Sequence, residues 1–227
     1  SNADVPVLEN AWYYKAMSDV VKMAEVLGYK EDISAMQERL DSIEMNYNSF
    51  WTEKGYKSTN QAKPDDRANA MAVLAGLVNE SQYPTVENVL ETIFNASPYM
   101  EKYVLDAMCE MGYMEQAQNR MVTRYTPMAT DNGYTTLWEM WDKGSGTRNH
   151  AWSGGPMITM SKYMAGVKPV TAGYDVYEIT PDMGELNQVQ VSVPSVKGAI
   201  DVAMQQDLAV NTFSMNVTSP AETTALV

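Results

Sequence analysis

The chain has 227 residues, 45% of them hydrophobic and 20% charged, and carries a net charge of −13 at pH 7. That balance belongs to a globular protein. The acidity argues against nucleic-acid partners, since no basic patch is available to meet phosphates, and no run approaches the roughly twenty apolar residues that a membrane span needs.

Ser1-Asn2-Ala3 reads as an expression scar and is set aside. Tyr13, Met17, Val20, Ala24 and Leu27 recur at three- and four-residue steps, one face of a helix, with Gly28 as its C′ residue. Ile33, Met36, Leu40, Ile43, Tyr47 and Phe50 repeat the pattern, and the short link makes the two an antiparallel αα-hairpin. Lys54 to Ser58 holds a short extended turn. A third helix carries Ala68, Met71, Ala72, Ala75 and Val78, with Asp65-Asp66-Arg67 as its charged first turn. Thr85 caps a fourth, bearing Val86, Val89, Leu90 and Ile93.

Ser97-Pro98 predicts a fifth helix, with Ser97 as N-cap and Pro98 at N1, where a missing N–H costs nothing. It carries Met100, Val104, Ala107 and Met111 and stops at Gly112. Cys109 lies among these apolar positions and is read as core; as the single cysteine it excludes an internal disulfide. A sixth helix covers Met114 to Tyr125, a short seventh Thr136 to Trp141, and an eighth starts near Pro156 and ends at Gly166. Most methionines are read as core filler. Eight amphipathic helices in successive hairpins make either a solenoid or a closed α/α toroid, which period alone does not separate. No fixed-length repeat supports a tetratricopeptide-like array.

After Pro169 the period becomes two. Val189, Val191 and Val193 alternate with polar residues, Pro194 to Gly198 is a turn, Ala199 to Met204 a strand, and Phe213, Met215 and Val217 alternate again. This predicts antiparallel sheet with one wet face, ending partway along a further strand at Ala225-Leu226-Val227.

Thr135 to Asp142 and Arg148 to Gly155 hold three of the five tryptophans and the only histidine. Sugar sites are built from such parts: aromatic faces for pyranose C–H faces, and carboxylates and imidazoles for hydroxyls and protons. Glu139, flanked by Trp138 and Met140, is placed to have a tuned pKa and to serve as a general base. Plainer readings stand beside this. Trp138 and Trp141 are also core anchors by spacing, Glu139 an i,i+4 partner of Lys143, and His150 a structural histidine. Asp142 and Arg148 read as a local salt bridge or loop anchors. No cofactor and no metal ligand set is expected.

The run Thr135-Thr136-Leu137-Trp138-Glu139-Met140-Trp141 resembles the signature of bacterial α-L-rhamnosidases. Asn149 to Gly154 resembles their Asn-His stretch, Tyr163 to Pro169 the passage closing their catalytic domain, and Gly173 to Pro181 the first strand of their C-terminal β-sandwich. Ser97 to Gly112 resembles an earlier helix of the family, and the likeness covers nearly the whole chain at decreasing specificity. The resemblance implies a mainly α fold: a partial (α/α) six-hairpin toroid of about eight helices over 4–168, then an antiparallel β-sandwich segment over 169–227. It implies hydrolysis of terminal α-L-rhamnosides with inversion, with Glu139 as general base and His150, Trp138 and Trp152 binding substrate. The family's general acid belongs to an upstream acidic, Trp-containing motif that has no match here, and eight helices fall short of six hairpins. The chain is therefore expected to be a fragment, inactive alone, that self-associates through exposed apolar helix faces as a homo-oligomer. A periplasmic or secreted location in a bacterium is favoured over the cytoplasm. The competing readings are another toroid enzyme on carbohydrate (lyase, epimerase or glycosidase) and a non-catalytic helical-repeat scaffold.

Overall fold

The first helical periods fold as α1, Val5–Leu27, and α2, Lys30–Tyr47, in the computed structural model of the chain, which describes residues 3–227. Of the expected scar, Ser1 and Asn2 lie outside the described residues. The chain forms two compact units that divide after Tyr113.

In the first unit α1 and α2 make the expected hairpin, and Gly28 takes the left-handed conformation at the turn (φ 79°). The buried stripe of α1 is not the expected one. Val7, Ala11, Val21 and Ala24 are inside, whereas Tyr13, Val20 and Leu27 are exposed. The α1 stripe is set by where α2 and the helix Asp66–Leu74 lie against it, and several faces of α1 carry apolar residues. On α2 the expected face holds: Leu40 and Tyr47 are buried, and Ile33, Met36 and Ile43 half-buried. Tyr47 closes the hairpin by donating its hydroxyl to the Val7 carbonyl (3.0 Å).

Lys54 lies in the turn of a small hairpin, β1 (Trp51–Thr52) with β2 (Gly55–Tyr56). Helix α3 spans Asp66–Leu74 and ends before Val78. Its N-cap is Asp65, whose carboxylate accepts from the Arg67 and Ala68 amides and pairs with the Arg67 guanidinium at 2.5 Å. Asp66 is buried and accepts from the Asn95 and Ala96 amides, each at 3.1 Å. Buried Asn69 ties α3 to β2 through both the N–H and the C=O of Tyr56 (2.9 Å each). Helix α4 spans Tyr83–Thr92, so Thr85 sits inside its first turn rather than capping it; Asn79 instead caps the preceding 3₁₀ turn. Helix α5 spans Pro98–Glu110 with Ser97 as its N-cap, accepting from the Met100 amide. Cys109 on α5 is half-buried, not core.

The second unit opens with α6, Met114–Ala129. No helix covers Thr136 to Trp141; that stretch is irregular. Helix α7, Gly155–Thr159, runs on into a π-helical turn, Met160–Met164. The described residues thus contain seven α-helices, not eight. None is long and apolar enough to cross a membrane. Two three-stranded sheets follow. One has order β3 (Val167–Pro169), β4 (Val176–Ile179), β8 (Thr224–Leu226). The other has β5 (Gln188–Ser195), β6 (Gly198–Asp207), β7 (Thr212–Thr218). Tyr177 and Ile179 of one sheet and Val189, Val193, Ile200, Val202 and Met204 of the other share a core. The second sheet is an antiparallel meander, as the alternation predicts. The first is mixed, because β8 runs parallel to β4. Methionines serve both surface and core: Met108 and Met164 are buried, Met45 and Met157 exposed.

Candidate functional site

The segment from Thr135 to His150 uses its backbone donors across a loop instead of along a helix. The Glu139 amide donates to the Thr147 carbonyl, and the His150 amide to the Leu137 carbonyl, both at 3.0 Å. The Thr136 hydroxyl donates to the Arg148 carbonyl. Two arms, 136–139 and 147–150, are thereby tied to each other. The connecting tip is fixed locally: Asp142 accepts from the Gly144 amide (2.9 Å) and the Ser145 hydroxyl (2.8 Å). Arg148 donates to the carbonyls of Ser145 (3.1 Å) and Gly146 (2.6 Å). Asp142 and Arg148 are loop anchors. Gly146, at φ 67°, passes close under the glutamate; a Cβ there would lie 2.9 Å from Glu139 Oε2.

This arrangement brings Glu139, His150 and Trp152 together. Glu139 Oε2 accepts from the Thr147 amide at 2.8 Å and from the Thr147 hydroxyl at 2.9 Å. The same hydroxyl lies 2.9 Å from His150 Nδ1, and Glu139 Oε2 is 3.5 Å from that nitrogen. Trp152 lies over His150, ring centroids 4.0 Å apart, and donates its indole N–H to the Glu139 carbonyl at 3.2 Å. The glutamate side chain is 24% exposed and the histidine 32%, so both reach solvent. Glu139 is held below the ordinary glutamate pKa, first by the Thr147 amide, then by its hydroxyl, with His150 adding a smaller pull. Its tuning is therefore downward. It comes from donated hydrogen bonds, not from the flanking Trp138 and Met140.

Trp138 is not brought to this site. It is 4% exposed and packs with Tyr125 and Met128, while Ser153 donates to its carbonyl at 2.5 Å. Leu137 and Trp141 pack against the same cluster, whereas the Glu139 carboxylate between them reaches solvent. Trp141 stacks edge-on to Tyr125 at 5.0 Å, with the Arg124 guanidinium 4.1 Å over its ring. Both indoles answer to the plainer core reading. The expected Glu139–Lys143 helix pair is absent: Lys143 pairs with Asp131 at 2.5 Å. Thr147 went unread in the sequence, where its only signal is a hydroxyl beside the glycines of Gly144-Ser145-Gly146. Among the described residues, no group of three or more His, Cys, Asp or Glu is placed to hold a metal ion. A separate apolar groove in this unit, lined by Met121, Tyr125, Pro156, Met160, Met164 and Leu186 among others, includes none of the four residues read as site residues.

Comparison with known proteins adds the following. Residues 1–164 match the family model described as the bacterial alpha-L-rhamnosidase six-hairpin glycosidase domain, and residues 166–227 match the bacterial alpha-L-rhamnosidase C-terminal domain. No curated protein matches the sequence. Among solved structures, the fold is similar to the alpha-L-rhamnosidase from Dictyoglumus thermophilum, with TM-score 0.80 and 24% identity over 95% of this chain and 26% of that one. It is similar to a rhamnosidase of Bacillus sp. GL1, with TM-score 0.77 and 22% identity over 95% of this chain and 25% of the other. It is also similar to the Streptomyces avermitilis alpha-L-rhamnosidase complexed with L-rhamnose, with TM-score 0.73 and 21% identity over 96% of this chain and 23% of that one. The chain spans about a quarter of the length of these structures.

Proposed function

The chain belongs to the bacterial alpha-L-rhamnosidase six-hairpin glycosidase family, and on that premise we propose that it carries part of the site at which a glycoside hydrolase removes terminal α-L-rhamnose with inversion. Glu139 is the general base. Its carboxylate takes the proton of the water that attacks the anomeric carbon, on the face of the sugar opposite the leaving oxygen. His150 contacts the sugar hydroxyls, and Trp152 offers an aromatic surface beside it. The observation that carries this reading is the pairing of a solvent-reaching carboxylate and the lone imidazole, 3.5 Å apart, with an indole face on the imidazole.

Inversion needs a second carboxyl group about 6.5–9.5 Å from the first, with water between them. The resemblance assigns that acid to a motif without a match in residues 1–227, so the chain alone is inactive. In the same reading, 4–168 is part of an (α/α) toroid and 169–227 part of a β-sandwich domain. The chain self-associates through exposed apolar helix faces, and its compartment is the periplasm or the exterior of a bacterium.

Two measurements test the proposal. Titration with L-rhamnose, followed by the His150 ring and Trp152 indole signals in NMR spectra, is expected to shift both. No shift at saturating sugar defeats the reading. A nitrophenyl rhamnoside assay at high protein concentration is expected to show no turnover. Turnover abolished by Glu139→Gln would overturn the inactivity while supporting the base.

A further inference from the structure

Thr147 bonds both halves of the site, and its hydroxyl has a single proton to give. An ionised carboxylate only accepts hydrogen bonds. The 2.9 Å contact between the Thr147 hydroxyl oxygen and Glu139 Oε2 therefore holds the hydroxyl proton. Two lone pairs facing each other at that distance repel, and a bond to a charged acceptor is about twice as strong as one to a neutral acceptor. With that proton committed to Glu139, the second 2.9 Å contact, to His150 Nδ1, needs its proton from the ring. The Thr147 amide donates to the same carboxylate oxygen at 2.8 Å and keeps it in place. Trp152, lying over the imidazole at 4.0 Å, holds the ring orientation in which Nδ1 faces Thr147. Nε2 lies on the far side of the ring and has no hydrogen-bond partner among the described residues.

We infer that Thr147 is a positioning residue that holds neutral His150 in its Nδ1–H tautomer, so that Nε2 meets the ligand as a hydrogen-bond acceptor. The tautomer follows from the geometry alone; the identity of the ligand rests on the rhamnoside reading above. The consequence is a specificity rule. The sugar position facing His150 must carry a free hydroxyl, because that hydroxyl has to donate. An O-methyl rhamnose blocked there binds about tenfold more weakly, the loss of one hydrogen bond.

His150 is the only histidine in the chain, so the full chain labelled with ¹⁵N-histidine gives one imidazole that needs no residue assignment, and the long-range coupling pattern tells its two nitrogens apart. Long-range proton–nitrogen spectra at a pH where the ring is neutral are expected to show Nδ1 protonated and Nε2 unprotonated. Thr147→Val keeps the amide and the shape but removes the hydroxyl, and is expected to move population to the Nε2–H form; Thr147→Ser restores the original tautomer. Wild-type protein with Nε2 protonated overturns the inference whether or not the variants fold. So does a folded Thr147→Val with an unchanged tautomer. If the Nδ1–H form is present but L-rhamnose moves neither nitrogen, Thr147 keeps its positioning role and the rhamnoside reading fails.

Discussion

Trp152 reaches back across thirteen residues to donate its indole N–H to the carbonyl of Glu139, and so ties the residue beside the histidine to the backbone that carries the carboxylate. Trp152→Phe keeps a ring over His150 and removes that donor. We expect it to cost about 1 kcal/mol and to speed amide exchange at Glu139 and His150. Chemical denaturation with hydrogen exchange checks this. Unchanged exchange at both amides would mean that the arms stand without the indole.

Glu139 titrates below the ordinary glutamate value of 4.5, because its carboxylate is worth more hydrogen-bonded to Thr147 in the fold than free in the unfolded chain. A group whose folded pKa is depressed stabilises the fold above its unfolded value and loses that contribution as pH falls through the folded value. The arms should therefore hold fully above pH 4.5 and loosen below it. Carboxyl ¹³C titration should place the midpoint under 4.5, and Thr147→Val should bring it up. A midpoint at or above 4.5 in the wild type contradicts the geometry.

Gly146→Ala tests how closely the loop tip supports the carboxylate. The added methyl would start 2.9 Å from Glu139 Oε2 on a backbone at φ 67°. The expected outcome is about 1 kcal/mol of backbone strain and a displaced Glu139, read as an upward move of its titration midpoint. A stable variant with the wild-type midpoint would show that the tip gives way freely.

Asp66, buried in the first unit, holds the Asn95 and Ala96 amides. Asp66→Ala strands both donors and should cost about 3 kcal/mol, while Asp66→Asn, which keeps an acceptor, should cost less. Urea unfolding of the two variants ranks them, and equal losses would remove the hydrogen bonds as the cause.

The exposed apolar side chains of α1, Val20, Met23, Val26 and Leu27, favour association. Light scattering should give a mass above one chain, and the double change Met23→Glu with Val26→Glu should return it to one. A wild-type mass of one chain across concentrations ends the proposal.

Some of this protein was legible in its residues. Ser97-Pro98 starts α5 where capping chemistry requires it, because an N-cap needs only its own side chain and an amide three residues away. The two-residue alternation of Val189 to Val193 becomes β5 because the pleat has that period by construction. The unusual Trp-Glu-x-Trp passage drew attention to Glu139 and His150, which the fold brings within 3.5 Å.

Other features were decided only by distant partners. Trp138 and Trp141 stand three apart, which fits a helix, yet the Thr136 to Trp141 stretch is irregular and bonds to residues eight to thirteen positions later. That pairing turned Trp138 into the core and left the outward face to Glu139. It also made Thr147 the bridge between carboxylate and imidazole. A residue's type fixes which hydrogen bonds it can make, and local spacing fixes those within one turn. Which groups meet across a loop depends on the competition between helix and cross-loop pairing, and only the assembled chain settles that.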